Sequence, residues 1–114
     1  MPDIDDLQKL QDGLSVSIKS LLKAYDQSKD PVESATLLDQ SQQLAAQMTQ
    51  IETNIFHQQT VQAGATIDDA FTAANGLIDQ LSAATAKLQK ISDAISIAAK
   101  LISVVTKIVG YLPL

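Results

Sequence analysis

From Ile67 to Leu112 the chain keeps an apolar residue at nearly every seam position of a seven-residue repeat. The series is Ile67, Phe71, Ala74, Ile78, Leu81, Leu88, Ile91, Ile95, Ala98, Ile102, Val105, Val109 and Leu112, and Thr85 alone interrupts it. Steps of three and four return side chains to one face of a helix. No useful length of the chain alternates with period two, so the fold class is all-α. A continuous helix over this run would be roughly 70 Å long at 1.5 Å per residue. A pattern well beyond 25 residues indicates a coiled coil, a membrane segment, or two helices with a break. Asn75-Gly76 marks a turn in other settings, but here it lies inside an unbroken period. It is expected to be tolerated, with a kink at most. Ser92-Asp93 is a second candidate break and has neither Gly nor Pro.

Two shorter helices precede this run. Helix one is expected over about 3–27, with a seam of Ile4, Leu7, Leu14, Ile18, Leu21 and Tyr25 interrupted by Gln11 and widened by Leu10 and Leu22. Asp3, Asp5 and Asp6 suit the positive end of its dipole. Gly13 inside it should cost about 1 kcal/mol relative to Ala. Helix two is expected over about 31–63. Asp30 is its N-cap, Pro31 its first residue, and Glu33 sits where a capping box places a carboxylate. Its seam is Leu37, Ser41, Leu44, Met48, Ile51 and Ile55, and Gly64 is its expected stop. Thr66 is the expected cap of helix three, about 66–112.

The whole of 1–114 therefore reads as one helical domain: an antiparallel up-down-up bundle of three long helices with coiled-coil-like heptad packing. The alternative is that the last helix breaks in two, which gives four. Set antiparallel against helix two, helix three has a surplus from Ile97 to Leu114 that would project past Asp30. That surplus is the most apolar part of the chain, with Asp93, Ser96, Lys100, Ser103 and Lys107 as one narrow polar stripe. So wide an apolar face does not stay in water. It folds back as a fourth helix, packs on a second copy or partner helix, or meets a membrane. Ile95, Ala98, Leu101, Ile102, Val105, Ile108, Val109 and Leu112 are the candidate interaction residues.

Composition narrows the function. With 46% hydrophobic and 18% charged residues, the chain can build a core and is not a disordered tail. It has no cysteine and no arginine. Thiolate metal sites and cysteine nucleophiles are thereby excluded. Lacking the arginine fork and carrying a net charge of −5, it is no nucleic-acid binder. The charge is uneven: residues 1–84 carry −8 and residues 85–114 carry +3. An anionic membrane surface is therefore a possible partner of the basic C-terminal part. Lys100, well inside the last apolar stretch, argues against a spanning helix.

Candidate chemistry is sparse. His57 is the sole histidine and has no nucleophile or acid beside it. Asp5-Asp6 and Asp68-Asp69 fall where helices begin, and adjacent helical residues point about 100° apart, so neither pair chelates a metal unaided. No phosphate loop, EF-hand, dinucleotide fingerprint or zincin motif occurs. Gln40, Gln42, Gln43, Gln47 and Gln50 read as a solvated face, with hydrogen bonding to a partner helix as the alternative. The chain is expected to be non-enzymatic and cofactor-free. It is expected either to self-associate or bind a partner through its C-terminal helix, or to bind lipid through 94–112. The acidic start lacks a secretory leader, so the cytoplasm is the default compartment. Export without a cleaved leader stays open.

Overall fold

Asp30 sets where the second helix starts. Its Oδ1 accepts the backbone N–H of Val32 at 2.9 Å, and its carbonyl accepts that of Ser34, also at 2.9 Å. Pro31 follows at the position where a missing N–H costs nothing. The expected capping box is only half built, since the N–H of Asp30 donates to Ser28 Oγ at 3.4 Å and not to Glu33. The N–H of Ser28 in turn donates to the Tyr25 carbonyl, closing the helix before it.

The computed structural model describes residues 4–56, 65–87 and 91–110. Among these, all but residues 28–30 are helical. The helices are α1 (Ile4–Gln27), α2 (Pro31–Phe56), α3 (Ala65–Lys87) and α4 (Ile91–Gly110). Residues 57–63 of helix two, Gly64, His57, Leu88 and Leu112 lie outside the described residues. Thr66 falls within α3, which begins at Ala65, and not ahead of it as a cap.

The four helices pack against each other. α1 lies on α2 and α3, α4 lies on α2 and α3, and α2 and α3 have no close backbone approach among the described residues. The continuous helix over 66–112 and its projecting end are not what the structure has. A helix of roughly 70 Å cannot fit a molecule whose longest extent is 42 Å. α4 instead folds back beside α3 and along α2, because only there is its apolar face removed from water. α3 runs unbroken through Asn75-Gly76, and Gly76 is exposed with open space around its Cα.

Two hydrogen bonds fix how α2 and α4 lie. Gln40 reaches Ile95 and Gln47 reaches Ile102, so both pairs are separated by 55 residues and the helices run the same way. α1 and α3 also run side by side. Gly13 faces Ile78, and Val16 to Lys23 share a groove with Ser82 to Ala86. Among the described residues α1 packs on α2, α3 packs on α4, and the two pairs pack on each other.

The core is aliphatic. Leu7, Leu10, Leu14, Leu21, Leu37, Leu44, Ile51, Leu81, Leu101, Val105 and Ile108 are all fully buried. Each such Leu, Val or Ile removed from water contributes about 1.5–3 kcal/mol. α3 buries the expected seam: Phe71, Ala74, Ile78, Leu81 and Thr85. In α1 the seam is rotated. Leu10, Ser17 and Ala24 join Leu7, Leu14 and Leu21 inside, while Leu22 and Tyr25 remain exposed.

Candidate interaction surface

α4 carries the residues expected to bind a partner, and its own chain covers much of them. Ala98, Leu101, Val105 and Ile108 are fully buried, together with Ala94. Ile95, Ile102 and Val109 are half-buried and pack against the core from its edge. Leu112 lies outside the described residues. The buried stripe is therefore offset from the Ile95–Ile102–Val109 line. Lys100, Ser103 and Lys107 are exposed on the other side of α4, and Thr106 is exposed at its α2 edge.

The α2 face that receives α4 is polar along its length. The glutamine cluster does not form one solvated face. Gln42, Gln43 and Gln50 are exposed, but Gln40 is buried and Gln47 half-buried against α4. Gln40 Nε2 donates to the Ile95 carbonyl at 2.9 Å. Gln47 Nε2 donates to Thr106 Oγ1 at 2.8 Å and to the Ile102 carbonyl at 3.2 Å. Thr106 Oγ1 itself donates to that same carbonyl at 2.7 Å. Asn54, one more heptad along and also buried, donates its Nδ2 to Gln50 within α2.

Each of these three amides leaves its oxygen without a protein partner. Gln40 Oε1, Gln47 Oε1 and Asn54 Oδ1 are buried and unbonded among the described residues. Such an atom costs about 1–3 kcal/mol against a satisfied one. Asn54 was not among the residues singled out from sequence. Its spacing of seven from Gln47, and of fourteen from Gln40, was the available signal.

Beside the α1–α3 seam lies an open surface groove of about 250 Å³, lined by Val16, Lys19, Ser20, Lys23, Ser82, Thr85 and Ala86. Ser17 and Thr85 are buried nearby, yet both hydroxyls bond carbonyls of their own helices, at Gly13 and Leu81. They contribute no bond across the seam.

Asp5 is exposed and Asp6 half-buried in the first turn of α1, where the helix dipole favours them. No group of three or more His, Cys, Asp or Glu placed to hold a metal occurs among the described residues. No described helix is long and apolar enough to cross a membrane. No protein-family model matches this chain, and it has no match among curated proteins or solved structures.

Proposed function

We propose that this is a non-enzymatic helical-bundle protein that self-associates, or binds a partner helix, through α4. The bundle is read as up-down-up-down, with coiled-coil-like heptad packing inside each hairpin. The observation that carries the reading is the contrast across the α2–α4 seam. α4 buries five apolar residues in the core, Ala94, Ala98, Leu101, Val105 and Ile108. α2 answers with Gln40, Gln47 and Asn54, whose oxygens are unsatisfied. The most apolar helix is thus held on one side by a seam that buries three unpaired amide oxygens. Ile95, Ile102 and Val109 are left at its edge, where a partner helix can cover them.

One observation favours a second reading. The exposed side of α4 carries Lys100 and Lys107, against the single acid Asp93. An amphipathic helix of that make-up lies in the interface of an anionic membrane. Since no described helix is of spanning character, such contact is interfacial.

Light scattering with and without anionic vesicles separates the two. The first reading expects a dimer or larger species in buffer, lost or unfolded on Ile102→Asp. The second expects vesicle binding that weakens with salt and disappears when residues 94–114 are removed. A monomer at all concentrations that ignores vesicles overturns both.

A further inference from the structure

The chain has two asparagines, Asn54 and Asn75, and the fold treats them oppositely. Asn54 is buried, its Nδ2 donates to the Gln50 carbonyl, and the β-branched Ile55 follows it. Asn75 is exposed on α3 and is followed by Gly76, which has open space around its Cα. The Asn75 side chain makes no hydrogen bond among the described residues. α3 is also held least firmly at this point. From Thr72 to Leu77 only Ala74 is fully buried, whereas Phe71 and Ile78 anchor the turns on either side. Glycine is the poorest helix former apart from proline. Local opening favours stretches with few buried apolar contacts.

We propose that Asn75-Gly76 is a self-modification site, closed while α3 is helical and reactive when α3 opens there. The reaction is attack of the Gly76 backbone nitrogen on Cγ of Asn75. A bond forms between those two atoms and the Cγ–Nδ2 bond breaks. Ammonia leaves, carrying the proton that the Gly76 nitrogen gives up. The cyclic product is a succinimide. Water then opens the ring at either carbonyl and leaves aspartate or isoaspartate at this position.

The helix blocks the first step. Gly76 lies inside α3, so its N–H is engaged with the carbonyl four residues back, at Thr72. The helical ψ of Asn75 does not bring that nitrogen onto Cγ. Once the turn opens, both obstacles go. Glycine then has no Cβ to crowd the attacking nitrogen, and the exposed position admits water. The products do not rebuild the turn. The succinimide has no N–H to return to Thr72, and isoaspartate inserts an extra carbon into the backbone. The change is therefore one-way, and it falls beside Ile78, where α3 presses on Gly13 of α1.

The test is incubation of the intact chain in mildly alkaline buffer, with and without urea. Fragment mass spectrometry then follows the conversion of amide to acid at both asparagines. Asn75 should convert faster in urea by about tenfold or more, since closed α3 reacts only through its open fraction. Isoaspartate should be in excess, and Asn54 should stay intact. Leu81→Ala loosens the buried face of α3 without touching the reacting atoms. It should raise the rate in buffer and leave the rate in urea unchanged. If it unfolds the bundle outright, the two rates merge at the urea value, which is the same outcome at its limit. Gly76→Ala should slow conversion in both media. Equal rates for the wild-type chain in buffer and in urea overturn the gate, as does a Leu81→Ala rate in buffer no higher than wild type. No conversion of Asn75 in urea, or conversion of Asn54 as fast, overturns the site.

Discussion

A β-carbon placed on Gly13 would sit 2.5 Å from Cδ1 of Ile78. The glycine that looks costly inside α1 is a point where a side chain of α3 presses close. Gly76 is the contrary case, exposed on α3 with no neighbour within 4 Å. Gly76→Ala should therefore raise stability by about 0.5–1 kcal/mol, through helix propensity alone. Gly13→Ala has the same propensity gain but must push the end of Ile78 aside, so its net effect should be smaller. Gly13→Leu should cost about 1–3 kcal/mol through overpacking. Urea unfolding of the three variants checks the order. Equal gains from the two alanine changes would show that α3 does not press on Gly13.

Asp30→Ala removes the carboxylate that accepts the Val32 N–H and should cost about 1 kcal/mol. Asp30→Asn keeps an accepting oxygen and should recover most of it. The check is the midpoint of thermal unfolding followed by far-ultraviolet circular dichroism.

Leu101→Ala deletes a fully buried side chain from α4 and should cost about 2–5 kcal/mol. Ala99→Ser, on the exposed side of the same helix, should stay within about 0.5 kcal/mol. Chemical denaturation of both variants tests whether α4 belongs to the cooperative core. A null result for Leu101→Ala would mean that the helix does not share the core.

Thr85→Val should be neutral or stabilising by less than about 1 kcal/mol. The Thr85 hydroxyl bonds only carbonyls of its own helix, those of Leu81 and Ser82. Its removal leaves no donor unpaired, and the added methyl enters an apolar seam. A loss of several kcal/mol in a denaturation curve would show that the hydroxyl serves a role across helices.

Sequence periodicity was a good guide where the inward residues are large. Phe71, Ile78 and Leu81 mark α3's buried face by hydrophobicity alone, and the heptad placed them correctly. In α1 it placed Leu7, Leu14 and Leu21 inside but missed Ser17 and Ala24, which are small. They sit inward, while the larger Leu22 and Tyr25 stay outside. The break before α4 carries no glycine or proline, so no local punctuation announced it. Hydrophobic surplus offered fold-back as one of three outcomes, beside a second copy or partner helix and a membrane. The inward glutamines were hidden by their exposed neighbours Gln42 and Gln43. Composition groups these residues together, and only their phase on the helix separates them.

The amide row also has a consequence for alignment. Gln40, Gln47 and Asn54 repeat every seven residues, and backbone carbonyls are present along all of α4. Slipping α4 by one heptad would offer Gln47 the Ile95 carbonyl, much like the Ile102 carbonyl it left. Thr106 breaks this equivalence, because Gln47 finds its hydroxyl in the observed alignment. Seven residues earlier stands Ala99, which has no hydroxyl to offer. One threonine thus distinguishes the true alignment from its nearest imitation.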